Sequence, residues 1–192
     1  MIITRISRHA LLTALLVALS GCASVEMGSP TPLTEHLIAV RGLKLAPAAV
    51  GSFALAPGLP AEKDRSISLR GSSLKAPGGG SFAEHLKAKL AAQLKAAGWL
   101  DPTSRSTISG ELLQSEADAA IGTGTASLSA RFTVVRNGQS VYRNELRVQD
   151  SWESSFMGAI AIPLAMQRYE ALYGKLVTKL IDDPEFRRAM AP

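Results

Sequence analysis

The sequence predicts an α+β fold: an antiparallel sheet of about four to five strands with two helices packed on one face. Three observations carry this. Short runs that alternate apolar and polar residues recur at 50–56, at 66–70 and across 105–152, as half-buried strands do. A capped apolar stripe of helical period begins at Ser81, and a second, longer one fills 163–181. Both helices thus flank the main strand region, and residues 49–186 are expected to form a single domain.

Taken in order, the first run, Val50 to Ala56, is stopped by Pro57-Gly58. Ser66 to Arg70 is a shorter strand, and Ala76-Pro77-Gly78-Gly79-Gly80 breaks whatever precedes it. Ser81-Phe82-Ala83-Glu84 then matches a capping box, in which serine oxygen and glutamate carboxylate satisfy N–H groups left free at a helix start. Phe82, Leu86, Leu90 and Leu94, with Ala83 and Ala97, form one stripe, while Lys87, Lys89 and Lys95 occupy other faces. Gly98 ends this helix. His85 lies off the stripe and is expected to be solvated.

In the β region, Thr107 to Glu116 is a strand with Ile108 and Leu112 on one face. Gly122-Thr123-Gly124-Thr125 is expected as a connection, since it lacks the spacing, lysine and following helix of a phosphate loop. Two strands pair around Asn137-Gly138. A two-residue loop would set Phe132 opposite Arg143 and Leu128 opposite Arg147, mixing apolar and charged groups on each face. A three-residue loop, Arg136-Asn137-Gly138, sets Phe132 opposite Tyr142, Leu128 opposite Leu146 and Ala126 opposite Val148. It leaves one apolar face and is the expected register. The other face then carries Arg131 across from Arg143, with Arg147 further along. Facing like charges are unfavourable unless compensated. Either Glu145 or Glu111 neutralises them on a solvated face, which is the expectation, or the three arginines contact an anion such as a lipid phosphate.

Phe156 to Leu164 contains no charged residue. Burial as the lead-in to a packed helix is expected. If exposed, Phe156, Met157, Ile160 and Ile162 would form a patch for a membrane, a lipid tail or a partner protein. In the helix of 163–181, Ile162, Met166, Tyr169, Tyr173, Leu176 and Leu180 recur at helical spacing, with Ala165, Leu172 and Val177 beside them. Pro163 suits the first turn, Asp183-Pro184 stops the helix, and 187–192 is expected as a tail.

At the other end of the 192-residue chain, Arg5 and Arg8 precede an apolar run, Ala10 to Leu19, and then Ser20-Gly21-Cys22. The run would rise only about 15 Å as a helix, against a hydrocarbon core of about 30 Å, so it reads as an export signal and not a span. Residues 1–21 are expected to be removed. Residues 22–48, with Pro30, Pro32 and Pro47 and no clear period, are expected to be a lipidated N-terminus and tether, in which the dozen or so linker-like residues after Cys22 would place the domain on the order of 20 Å from a membrane. His36, within it, is expected to be solvated.

Composition excludes several functions. The formal charge of +5 falls to +3 without residues 1–21, too little and too scattered for a nucleic-acid partner. Cys22 is the only cysteine, which excludes an intramolecular disulfide and a cysteine zinc cluster. Beyond residue 21 the histidines are His36 and His85, with no H-E-x-x-H or G-x-S-x-G motif. Glu116 and Asp118 share a strand face and are the nearest approach to a catalytic carboxylate pair. A non-catalytic protein without cofactor or metal is expected.

Leu19-Ser20-Gly21-Cys22 resembles the lipobox of bacterial lipoproteins. The resemblance implies diacylglycerol on the Cys22 thiol, cleavage before it, and acylation of the new amino group. Two or three acyl chains make a stable membrane anchor where one holds marginally. Ala23-Ser24 resembles the outer-membrane default of enteric sorting, which implies the outer membrane, periplasmic face. The element order over about 50–186 resembles small envelope lipoproteins such as the lipopolysaccharide-assembly lipoprotein and the auxiliary lipoproteins of ABC-type lipid transporters. What this implies is an accessory in envelope assembly or lipid transport, with a membrane, an envelope protein or a lipid as partner.

Overall fold

The computed structural model describes residues 24–192; the expected signal at 1–21 and the lipidation residue Cys22 lie outside the described residues. Seven strands, four α-helices and two short 3-10 turns are present among the described residues: β1 (Ser24–Glu26), α1 (Thr34–Ala39), β2 (Ala49–Leu55), β3 (Ser66–Leu69), β4 (Ser72–Lys75), α2 (Phe82–Ala96), β5 (Ser106–Asp118), β6 (Gly122–Arg136), β7 (Gln139–Ser154), α3 (Gly158–Asp182) and α4 (Pro184–Ala189), with the 3-10 turns at Ala61–Asp64 and Pro77–Gly79. A four-stranded sheet runs β2-β5-β6-β7, and a smaller one runs β1-β4-β3. The fold is α+β and mostly antiparallel, with parallel pairs β2–β5 and β1–β4 at the sheet edges.

Both long helices pack on one face of the large sheet, α2 over β2 and β5 and α3 over β6 and β7. The capping box forms half its bonds: Ser81 Oγ accepts from the Glu84 N–H at 3.0 Å. Phe82, Leu86, Leu90 and Leu94 are all buried, in one core with Ile108, Leu112, Leu128, Phe132 and Val134 of the sheet. Gly98 at φ 76° turns the chain out of α2. In α3, Ala165, Tyr169, Leu172, Tyr173, Leu176, Val177 and Leu180 are buried, while Ile162 and Met166 pack partly against the core. This helix starts at Gly158, so Pro163 sits inside it and not at its first turn.

Two glycines admit aromatic rings from the next strand. Phe53 lies across Gly110, its partner in the β2–β5 ladder, and Trp152 across Gly124, its partner in β6–β7. A Cβ at either glycine would overlap the ring. The expected connection at 122–125 is therefore strand: Gly124 is there to make room, and the chain turns at 119–121 instead.

Register differs from expectation in an instructive way. The β6–β7 loop has two residues, Asn137 and Gly138, both at positive φ. Val141 is then bulged out between the Val135–Ser140 and Val134–Tyr142 pairs. The shift sets Phe132 opposite Asn144, Leu128 opposite Val148 and Ala130 opposite Leu146. The apolar face is as expected, reached by a bulge rather than a longer loop. Arg131 consequently faces Glu145, and Arg143 faces Thr133.

The expected tether is packed. β1 pairs with β4 through Ser24–Ser73 to Glu26–Lys75, and Met27, Val40 and Leu45 are buried. His36, expected in solvent, bridges three helices. Its Nδ1 lies 3.2 Å from Gln93 Nε2, its Nε2 lies 3.3 Å from Asp182 Oδ1, and Gln93 Oε1 accepts from the Leu33 N–H. The expected tail at 187–192 also docks, with Met190 buried beside the helix of Phe186 and the Met190 carbonyl accepting from the Ala46 N–H.

Candidate functional site

Three places in the structure bear on chemistry, of which the sequence singled out the first and the third. The first is the solvent face of the large sheet. Arg131 donates from Nη1 to Glu111 Oε2 at 2.6 Å and stands 3.7 Å from Glu145, so neighbouring strands neutralise it. Arg143 shares a shallow hollow with Arg131, while Arg147 lines a different hollow of about 760 Å³ with Gln114, Glu116, Asp118 and Gln149. The three arginines do not converge. Glu116 accepts from Gln114 Nε2 at 2.8 Å, and it and Asp118 face solvent beside Ser127 and Thr125.

The second place is the core under α3. A bulge at Leu113 turns Ser115 inward, where its Oγ lies 2.6 Å from Tyr169 OH, itself 2.6 Å from Tyr173 OH. Burial drives both phenols well above their usual range. His85, expected in solvent, is buried edge-on against Tyr173 with ring centroids 4.8 Å apart. Its Nδ1 has no partner. Desolvation first, then the Lys89 charge, lowers its pKa to about 4.

That shift carries a sign. The folded value lies below the ordinary 6.5, so folding opposes protonation. Stability is full above about pH 6.5 and declines toward pH 4, with a loss of about 2 kcal/mol by pH 5 from this group. Chemical denaturation at pH 7 and pH 5 checks it. His85→Phe, which fills the same slot without a titrating nitrogen, is expected to flatten the difference; an unchanged slope would place the acid sensitivity elsewhere.

The third place is the end of the molecule where β6 begins and β7 stops. Phe156 is 77% exposed, Met157 47% and Ile160 53%. The run expected to be buried is thus open over its first part, because α3 starts at Gly158 and only its Ala161 flank turns inward. Ile162 packs partly against the core and does not belong with the exposed three. Ile121, 73% exposed, stands at the same end of the sheet, in the β5–β6 connection one residue before Gly122, which pairs with Ser154.

Arg70 fixes this end. It sits with Gly71 in a two-residue turn between β3 and β4, both at positive φ. Its Nη1 donates to the Phe156 carbonyl at 3.1 Å and its Nη2 to the Ser155 carbonyl at 3.0 Å. Ser24, the first described residue, lies next to Ser73 in the same hairpin, beside that turn. Arg70 and Ile121 escaped the sequence reading. The Arg-Gly pair between two alternating runs was the available signal for the turn, but nothing local links it to residue 156.

Among the described residues no three His, Cys, Asp or Glu side chains are placed to hold a metal ion. No described helix is long and apolar enough to cross a membrane.

No family profile matches the sequence, and no curated protein matches it. Among solved structures, a Xanthomonas campestris protein of the DUF330 family superposes with a TM-score of 0.59 at 13% identity, covering 86% of this chain and 96% of that one. At that identity the likeness shows the shared fold. The PelC dodecamer from Paraburkholderia phytofirmans gives 0.44 at 16% identity, over 77% of this chain and 90% of that one. A minor lipoprotein from Acinetobacter baumannii gives 0.38 at 10%, over 70% and 91%.

Proposed function

We propose that this protein is a non-catalytic lipoprotein of the bacterial envelope. It is anchored through Cys22 in the outer membrane on the periplasmic face, and it serves as an accessory in outer-membrane assembly or in lipid or envelope transport. The observation that carries the reading is the sequence Leu19-Ser20-Gly21-Cys22 behind a charged flank and a ten-residue apolar run. The packed domain, which begins two residues after Cys22, supports it as the cargo such an anchor would hold.

Labelling with a radioactive fatty acid tests the anchor. The wild-type protein takes up label and sediments with membranes, whereas Cys22→Ser loses both. Label persisting in Cys22→Ser would refute the anchor. The accessory role is read separately, by crosslinking in intact cells. Recovery of an envelope assembly or transport protein supports it, and repeated recovery of the protein alone counts against it.

The exposed Phe156, Met157 and Ile160 favour a second reading: a lipid- or glycolipid-binding lipoprotein that works without a protein partner. Native mass spectrometry of the protein purified from cells separates the two, since this reading requires a retained lipid besides those on Cys22.

A further inference from the structure

Resting on the anchor reading above, we propose that the apolar end of the domain lies in the headgroup and upper acyl layer of the bilayer that holds Cys22. Ile121, Phe156, Met157 and Ile160 make this contact, so that the domain stands flush on the membrane and the Asn137-Gly138 tip points away from it.

Reach comes first. Two peptide units separate Cys22 from Ser24 and span at most about 7 Å. Ser24 is held in a ladder with Ser73, one residue from the Leu69–Ser72 pair that closes the Arg70-Gly71 turn. The Arg70 guanidinium in turn grips the carbonyls of Ser155 and Phe156. From Ser24 onward the path to the apolar end is therefore a run of paired backbone and charged hydrogen bonds. A long tether would leave the domain free to turn; this attachment does not.

The chemistry of the end agrees. An aromatic, a thioether and two isoleucines stand in the open, and Phe156 to Leu164 carries no charge that insertion would have to desolvate. The nearest cation on the hairpin, Arg70, sits at the base of the group, where a headgroup phosphate would meet it. Tip and patch are far apart: β7 runs 16 residues between them, about 50 Å of strand.

The test uses the full-length lipidated protein. With Cys22 acylated, one added cysteine is the only free thiol, so bimane is placed in turn at Phe156→Cys, Ile160→Cys and Gln139→Cys. Each protein is reconstituted into phosphatidylethanolamine–phosphatidylglycerol vesicles, with or without a lipid carrying a nitroxide high on its acyl chain. At least twofold quenching is expected at positions 156 and 160, and none at 139. Equal, weak quenching at all three in vesicle-bound protein would overturn the proposal and leave the anchor standing. So would disulfide crosslinks formed on adding a mild oxidant to unlabelled Ile160→Cys protein, without quenching in its labelled counterpart, which would give the patch to a second copy. Absence of acyl mass on the purified protein would overturn both.

Discussion

Asp183→Ala is expected to lower the unfolding free energy by about 3–4 kcal/mol, out of the roughly 5–15 kcal/mol that holds a typical domain. The residue ends α3 and caps α4, with its Oδ1 accepting from the N–H groups of Glu185 at 2.8 Å and Phe186 at 3.4 Å. Its Oδ2 accepts from Tyr142 OH at 2.8 Å and Asn144 Nδ2 at 3.0 Å, both on β7. Losing an N-cap costs about 1–2 kcal/mol. Leaving the buried Tyr142 hydroxyl unpaired adds a further 1–3 kcal/mol. Phe186 packs edge-on against the Tyr142 ring at 5.5 Å, so loosening α4 also opens apolar surface.

Urea denaturation at constant m checks this, and a loss below about 1 kcal/mol would mean that water replaces the carboxylate. Partial desolvation alone would raise the Asp183 pKa, but the bonds from Tyr142, Glu185, Asn144 and Phe186 outweigh it and hold the carboxyl below 3.8. Its contribution is therefore present above about pH 3.8 and is lost as pH falls through the lower folded value. Acid sensitivity from this residue and from His85 occupies different windows.

Gly110→Ala is expected to cost about 3 kcal/mol, although alanine is ordinarily the better strand residue. The new Cβ would enter the space of the Phe53 ring. Phe53 is itself buried, edge-on to Phe132 at 6.2 Å, in a core packed at the density of protein interiors. Phe53→Leu in the same chain is expected to recover part of the loss, and a coupling of about 1–2 kcal/mol in the double-mutant cycle would show that the two residues share one volume. Additive losses would mean that the glycine is required for its backbone alone. Gly124→Ala against Trp152 is the milder counterpart, since that pair lies nearer the end of the sheet.

The strands of the large sheet and the two long helices were legible because the interactions that define them are local, whereas β1, α1 and β4 were not. The strand at Ala49–Leu55, the capped helix at Phe82–Ala96 and the stop at Asp183-Pro184 follow from period, cap and breaker within one or two turns of chain. The apolar face of the β6–β7 hairpin was legible for the same reason. Its register was not: alternation fixes which side a residue faces, and both a longer loop and a bulge at Val141 preserve that parity. The candidate site was half legible. Phe156, Met157 and Ile160 stood out by composition, but their exposure depends on what covers them, and Arg70 reaches them from 86 residues away.

By itself, then, the sequence determined the α+β class, the two core helices, the apolar sheet face and the lipobox-like Leu19-Ser20-Gly21-Cys22. Tertiary structure decided what distant partners control. His36 is buried because Gln93 and Asp182 converge on it, and His85 because Tyr173 covers it. Gly124 is strand because Trp152 needs its space. Residues 24–47 are part of the domain because β4 offers Ser24–Glu26 an edge and the core admits Met27, Val40 and Leu45. A proline-rich segment with no period has no local reason to fold; it is ordered here by contacts that its own sequence does not contain.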